Sequence, residues 1–324
     1  MMKIVVPDDY PPALTSSTAE GRLRGLGKVT IHTARGADRE DELIRRIGQA
    51  EVVVNIRAYA RFTDPVLAAC PRLRLISIWG TGTDNVDLEA CHRRGVHVTN
   101  TPGVNADAVA EHTIALMLAV SRRIPAMDRD TRTGQWPRGL LVQCHGKTLG
   151  VIGLGEIGRR VARLGRALGM TVLAWSLGPD AGRAVAASAI PVGLEDLLRR
   201  ADVVSLHLRL SDKSRGLLDA AGLALMKPSA FLINTARAVL VDRDALVAAL
   251  REGRLAGAGL DVFHEEPLPA GDPLTALSNV VLTPHNAGTT PEVIETGLNR
   301  AVENIEYFLQ GAPRDAVAVP ARAL

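Results

Sequence analysis

Near the middle of the chain runs Lys147-Thr148-Leu149-Gly150-Val151-Ile152-Gly153-Leu154-Gly155-Glu156-Ile157-Gly158, and its reading decides the fold. Thr148 to Ile152 is a short apolar run of strand character. Gly153, Gly155 and Gly158 follow in G-x-G-x-x-G spacing, and Ile157, Val161, Leu164 and Leu168 then recur at helical intervals. Strand, glycine turn and helix in that order separate a dinucleotide fingerprint from an ordinary glycine-rich turn. In such a fingerprint the first glycine permits the turn, the second lets a pyrophosphate approach the backbone, and the third lets the helix pack closely on the strand. The helix N-terminus offers free N–H groups and a partial positive charge to the phosphates. A second strand, Thr171 to Trp175, comes after Gly169 and completes one β-α-β unit. Gly153, Leu154, Gly155, Glu156, Ile157 and Gly158 are therefore cofactor-binding candidates, with NAD or NADP as the ligand.

One feature of the fingerprint departs from the pattern. An acidic residue is expected about 20 residues on, where it would bind the ribose 2′-hydroxyl of NAD. Ser176 stands there instead, and a hydroxyl does not repel a 2′-phosphate as a carboxylate would. Arg183 is the nearest following basic residue. Ser176 thus permits NADP without selecting it.

The rest of the chain fits around this centre. Its 324 residues suffice for two domains, and 47% hydrophobic with 23% charged residues is the balance of a soluble globular protein. The net charge of +3 is spread along the chain, which gives no basic stripe for nucleic acid. Cys70, Cys91 and Cys144 show no C-x-x-C spacing, so neither disulfides nor a metal site are expected, and a reducing, cytoplasmic location is. Charged Lys3, Asp8 and Asp9 interrupt any secretory leader, and the apolar stretch Ile114 to Val120 is too short to span a membrane.

Before the fingerprint, Lys3–Val6, Val29–Thr33, Val52–Ile56, Leu73–Trp79 and Val96–Thr99 read as strands, with helix-period segments such as Arg39–Gly48 and Asp87–Arg94 between them. After it, strand candidates fall at 171–175, 202–208, 230–235, 257–263 and 280–283. Strands alternating with helices predict parallel, doubly wound α/β sheets. The segment Ala106 to Arg122 is apolar nearly all round, which predicts a helix covered on several sides, between domains or against another subunit. The last helix, Pro291 to Gln310, comes after the second sheet is complete and is free to return to the first.

Three polar residues follow strand candidates in the second half: Arg237, Glu266 and His285. Ligands of open α/β sheets gather at such strand ends. Hydride transfer to a 2-oxo acid needs a planar guanidinium for the carboxylate and ketone, an acid for the nascent alkoxide, and a carboxylate that holds that acid protonated. Taken singly, Arg237 also fits a surface arginine, His285 a turn residue after Pro284, and Glu266 a solvated partner of Glu265. Their joint occurrence after a dinucleotide motif favours the chemical reading.

Over essentially its whole length the sequence resembles the D-isomer-specific 2-hydroxyacid dehydrogenase family. The matching segments are Gly80-Thr81-Gly82-Thr83-Asp84-Asn85-Val86-Asp87, Asn100-Thr101-Pro102-Gly103-Val104-Asn105, the fingerprint, Asn234-Thr235-Ala236-Arg237, Gly259-Leu260-Asp261-Val262-Phe263 through Glu266-Pro267, and Pro284-His285. The resemblance implies a Rossmann NAD(P)-binding domain, residues 102–285, inserted in a flavodoxin-like substrate domain, residues 1–101 and 286–324. It places the catalytic arginine, glutamate and histidine on Arg237, Glu266 and His285, and the substrate-carboxylate amides on Thr81 and Gly82. Asp261 matches the carboxamide-binding aspartate; His207, Thr235 and Ala236 join the cofactor set; and Arg57 lies where some members hold a charged substrate tail.

The implied activity is interconversion of a 2-oxo acid and its D-2-hydroxy acid, with hydroxypyruvate- and glyoxylate-like substrates, in a homodimer paired through the cofactor domains. Trp79, Tyr59, Arg57 and Trp136 are candidates for the side-chain pocket. Glu266 speaks against a formate dehydrogenase and Thr81 against a phosphite dehydrogenase. No C-terminal regulatory domain is expected. Ala238 replaces the family's usual glycine, so a positive φ there would be strained. A branch of the superfamily consists of NADH-binding co-repressors that can keep the same three residues, and it is the rival reading. The disordered tails of those proteins are not seen here.

Overall fold

β-branched runs form short buried strands and charged segments cross between them, in two separate bodies. The computed structural model describes residues 1–56, 58–178 and 181–319, so Arg57 lies outside the described residues. One unit comprises Met1–Asn105 with Thr289–Leu324, the other Ala106–Gly288.

In the first unit the chain runs β1 (Lys3–Val6), α1 (Ala19–Leu26), β2 (Lys28–Ile31), α2 (Glu40–Ile47), β3 (Val52–Asn55), α3 (Asp64–Ala69), β4 (Leu75–Ile78), α4 (Leu88–Arg93) and β5 (His97–Thr99). The pairs among these strands are parallel, in the order β5-β4-β3-β1-β2, which is the flavodoxin-like arrangement. Phe62, Val66 and Ile76 belong to one apolar cluster. Ile4, Leu23 and Leu75 belong to another, which is closed by Leu298, Val302 and Ile305. These last three lie on the C-terminal helix, so the end of the chain completes the core of the N-terminal strands.

The second unit begins with α5 (Ala106–Ser121) and α6 (Ile124–Arg132). It continues through β6 (Thr148–Ile152), α7 (Glu156–Ala167), β7 (Thr171–Trp175), α8 (Ala181–Ala186), β8 (Ile190–Pro191), α9 (Leu194–Arg200) and β9 (Val203–Leu206). It closes with α10 (Ala220–Leu225), β10 (Phe231–Asn234), α11 (Arg243–Arg251), β11 (Gly257–Leu260) and β12 (Val280–Leu282). The sheet is parallel throughout, in the order β12-β11-β10-β9-β6-β7-β8. That order reverses direction at β6, where the crevice of a doubly wound sheet opens beyond the strand ends. The chain then returns to the first unit as α12 (Pro291–Leu309), capped by the Thr290 hydroxyl, and β13 (Ala316–Ala318), which pairs antiparallel with β5.

The helix from Ala106 is less enclosed than its composition predicts. Val109, Leu116, Met117 and Val120 are buried, while Asp107, Glu111 and Ala115 are exposed. Its inner face lies so close to β11 that a Cβ on Gly257 or Gly259 would sit 3.0 Å from a side-chain carbon of Val120 or Leu116. Two small residues on the strand, rather than cover on every side, accommodate this apolar helix. Three elements were not anticipated: β8, β13 and α6. The strands are three residues or fewer, and α6 buries no residue that could have shown a stripe. Among the described residues no helix is long and apolar enough to cross a membrane.

Candidate active site

The three fingerprint glycines do three different things. Gly153 has φ +101°, and a Cβ there would lie 2.7 Å from the carbonyl carbon of His207. A Cβ on Gly158 would overlap the Gly153 carbonyl oxygen, so this residue lets α7 close onto the turn. It is Gly165, facing Leu149, that lets the helix pack on the strand. A Cβ on Gly155 would meet nothing within 4 Å, which leaves open space at the N-cap of α7. The N-cap residue Gly155 supplies no side-chain cap, and the first-turn amides have no intrahelical partner. Open space, orphan amides and the positive end of a helix of 12 residues fit a pyrophosphate. Beside them the Ser176 hydroxyl accepts the Leu154 N–H at 3.0 Å, which leaves its own proton for an acceptor oxygen. His207 is pushed down to about 3 by burial and is neutral; its Nε2 lies 2.8 Å from the Ser205 hydroxyl. Its backbone supports the turn. Leu154 is buried, Ile157 is half-buried, and Glu156 pairs with Arg159 and Arg160.

Farther along the same unit, the loops after β10, β11 and β12 bring the polar candidates together. Asn234, at the end of β10, is 2% exposed; its amide accepts the Ala236 N–H at 3.0 Å and donates to the Arg237 carbonyl at 2.9 Å. It thereby fixes the backbone that carries Arg237. The Arg237 guanidinium donates to the Ala236 carbonyl at 2.8 Å. Glu266 accepts the Phe263 amide at 2.9 Å through Oε1 and meets His285 Nδ1 at 2.8 Å through Oε2. Burial raises the Glu266 carboxyl, but the His285 hydrogen bond and charge, the Phe263 amide and the Arg237 charge together bring it below the usual range. It is a carboxylate at neutral pH. With side chains 41% and 37% exposed, the His285–Glu266 pair contributes at most about 1 kcal/mol to stability; its consequence is orientation. Nδ1 faces the carboxylate, and Nε2 is the nitrogen left for a ligand.

The model of the D-isomer specific 2-hydroxyacid dehydrogenase NAD binding domain matches residues 114–287. The chain belongs to the D-isomer-specific 2-hydroxyacid dehydrogenase family. It is similar to a glyoxylate reductase of Aeropyrum pernix, 45% identical over 78% of this chain and 79% of that one. A glyoxylate reductase of Korarchaeum cryptofilum is 36% identical over 91% of this chain and 92% of its own. Among solved structures, an acyclic imino acid reductase in complex with NADPH and D-Arg superposes with a TM-score of 0.88, at 30% identity, covering 98% of this chain and 100% of that one. The protein is thus an NAD(P)-dependent oxidoreductase that interconverts 2-oxo and D-2-hydroxy acids.

In this dehydrogenase His285 has φ +53°, the left-handed region that costs a residue with a Cβ roughly 1–2 kcal/mol. Asp261, 1% exposed, holds it there. Its Oδ1 accepts the Asn286 N–H at 3.1 Å and its Oδ2 the Ala287 N–H at 3.0 Å. Hydrogen bonds to a charged group contribute about 1.5–3 kcal/mol each, enough to outweigh that cost. With the Thr283 hydroxyl also on Oδ1, one acceptor position remains on Oδ2, which fits a carboxamide donor. Thr235 is buried, with its hydroxyl 2.8 Å from that of Thr113 on α5. The expected strain at Ala238 is absent. Ala238 is not among the positive-φ residues and opens a short 3₁₀ turn to Leu240, so a Cβ is tolerated.

Thr81 and Gly82 lie in the first unit, just beyond β4. Asn100 donates to the Thr81 carbonyl at 2.8 Å, and among the described residues the Thr81 and Gly82 amides have no acceptor. The Trp79 indole donates to the Val293 carbonyl at 3.4 Å, the Tyr59 hydroxyl to Asp8 at 2.9 Å, and Trp136 is 73% exposed. The three cysteines are buried, and burial together with the Asp87 charge pushes the Cys91 thiol up to about 12, which leaves it inert. No cluster of metal-ligating side chains occurs among the described residues. Asn234 and Thr283 were missed as functional positions. Each was read only as part of a strand or motif: Asn234 holds the backbone two and three residues on, and Thr283 holds the Asp261 carboxylate, 22 residues away in sequence.

Proposed function

We propose that the protein reduces small 2-oxo acids of the glyoxylate and hydroxypyruvate type, with Arg237, Glu266 and His285 as its catalytic residues. A nicotinamide cofactor held at the fingerprint would supply or accept the hydride at the substrate's C2. Arg237 offers a planar fork of N–H donors to the carboxylate and ketone oxygens and opposes the negative charge that develops on the latter. In the direction of reduction the carbonyl π electrons move to oxygen, and His285 gives that oxygen the proton on Nε2. The ring is left neutral with Nδ1–H on Glu266. In oxidation the same nitrogen takes the proton back. The observation that carries this reading is Glu266, bonded to His285 at 2.8 Å and lowered also by the Arg237 charge. We assign the substrate-carboxylate amides to Thr81 and Gly82, whose N–H groups lack an acceptor among the described residues. Arg57 is proposed for a charged substrate tail on sequence grounds alone. Residues 106–288 are the cofactor-binding body, and those from both chain ends the substrate-binding body.

The protein forms a homodimer in a reducing, cytoplasmic setting, in keeping with three free thiols. Support for pairing comes from α5 and from the segment beyond α6. Ile114 and Leu118 are only partly buried, and Ile124 on α6 at 51%, with Trp136 at 73% and Leu140 at 102% beyond it, leave large apolar side chains in water.

The test is oxidation of NADH and NADPH with a panel of 2-oxo acids, on wild type and Arg237→Ala. Turnover with glyoxylate or hydroxypyruvate is expected. In the variant kcat/KM should fall at least about 100-fold, roughly 2.7 kcal/mol, while cofactor affinity stays within about twofold. Absence of turnover with every 2-oxo acid, or a variant keeping more than a tenth of wild-type activity, rejects the assignment.

A further inference from the structure

We propose that His112, on α5, is a positioning residue for His285, acting through the hydroxyl of Thr283 and the carboxylate of Asp261. The inference rests on His285 being the acid and extends that reading to a different helix. Its starting point is the backbone of the loop 283–287. The His285 N–H turns back to the Thr283 carbonyl at 3.0 Å, and the left-handed conformation that results directs the ring to Glu266. The amides of Asn286 and Ala287 keep that turn in place only as long as Asp261 stays fixed. Asp261 is buried, and its Oδ1 receives the Thr283 hydroxyl at 2.6 Å.

A threonine hydroxyl carries one proton. Since that proton is given to Asp261, His112 Nε2, 2.9 Å from the same oxygen, must be the donor to it. The direction of the chain is therefore determined: His112 Nε2–H to Thr283 Oγ1, Thr283 O–H to Asp261 Oδ1, with Asp261 accepting the loop amides. His112 Nε2 also lies 3.6 Å from Oδ1, close enough for a direct electrostatic contact when the ring is charged. The helix end of this chain is packed into the core. Ala110, Leu116, Met117 and Val120 are buried in one cluster with Ile233 of β10 and Val151 of β6. The loop that carries His285 is thereby referenced to the packed sheet through a helix whose side chain never meets His285 itself.

A histidine that merely filled a polar pocket would alter stability, or substrate and cofactor affinity. A positioning histidine alters kcat. The experiment compares wild type, His112→Ala, Thr283→Val, the double variant, His112→Gln and His285→Ala, by steady-state kinetics and by fluorescence titration of reduced cofactor. His112→Ala and Thr283→Val should each lower kcat about tenfold or more, with KM for the 2-oxo acid within about threefold and any loss of cofactor affinity, which shares Asp261, smaller than the loss of kcat. Because they break one chain, the double variant should fall no more than about threefold below the weaker single one. His112→Gln, which keeps an N–H donor at similar reach, should regain most of the lost kcat. A kcat within about twofold of wild type in both Thr283→Val and His112→Ala, or losses that multiply in the double variant, would overturn the proposal. Should His112→Ala fail to fold, Thr283→Val, close to threonine in shape, decides. Full activity in His285→Ala removes the acid assignment and this inference with it. Loss there, with unchanged kcat in the other two, removes this inference alone.

Discussion

In the proposed cofactor site a single hydroxyl, that of Ser176, stands where the ribose would be met. Ser176 accepts the Leu154 amide and has a proton to offer, where an aspartate would present only charge. Ser176→Asp can keep the amide bond, so the fingerprint turn should survive. Its carboxylate would bind a 2′-hydroxyl and repel a 2′-phosphate. The ratio of kcat/KM for NADH over NADPH should rise at least about tenfold, equal to 1.4 kcal/mol. An unchanged ratio would show that Ser176 does not face the ribose. The residue scale also explains why Ala238 is unstrained. Its backbone enters a 3₁₀ turn directly after Arg237, at φ −146°, and needs no positive φ. A side chain that would be strained at a positive φ is unstrained where the chain takes another path.

At the scale of elements, the fingerprint is a junction of strand, turn and helix, and its glycines separate packing from binding. Gly155 faces open space and Gly158 faces the Gly153 carbonyl. Gly155→Ala should therefore leave the melting temperature within about 2 °C of wild type while weakening NADH and NADPH at least about tenfold, because its methyl enters the phosphate's space. Gly158→Ala must push α7 off the turn, and should lower both melting temperature and affinity. Thermal unfolding and fluorescence titration on the two variants check this. Equal losses of stability in both would mean the space at Gly155 is not a ligand's. The same logic applies at β11, where Gly257 and Gly259 let α5 lie close to the sheet, so that an apolar helix needs fewer neighbours than its composition suggests.

For the whole molecule the open matter is assembly. Light scattering at micromolar concentration should give about twice 34.5 kDa, and a mass near 34.5 kDa would end the homodimer reading. The segment beyond α6 allows a sharper test than α5 does. Leu116 and Met117 are buried, so a charge there would unfold the protomer and reveal nothing about pairing. Trp136 and Leu140 are exposed, and Trp136→Glu or Leu140→Glu should leave the fold intact. If this segment is at the contact, either variant should shift the mass towards that of the monomer. An unaltered dimer would place the contact elsewhere.

Sequence alone determined whatever depends on neighbours along the chain. The G-x-G-x-x-G spacing, the alternation of strands and helices, and the strand-terminal positions of Arg237, Glu266 and His285 are local patterns. Their periods follow from backbone geometry. Lys3–Val6, Thr148–Ile152 and Thr171–Trp175 read true to the residue because each is a short run dominated by β-branched or apolar residues. Tertiary structure decided what depends on residues far apart in sequence. The edge strand Ala316–Ala318 is defined by its pairing with β5, and the open face of α5 by how tightly β11 accepts it. The left-handed turn at His285 exists because Asp261, 24 residues earlier, and His112 on another helix supply the hydrogen bonds that hold it. No window on the sequence brings those three side chains together; the fold does, because the buried carboxylate of Asp261 must find donors and the loop 283–287 and α5 supply them.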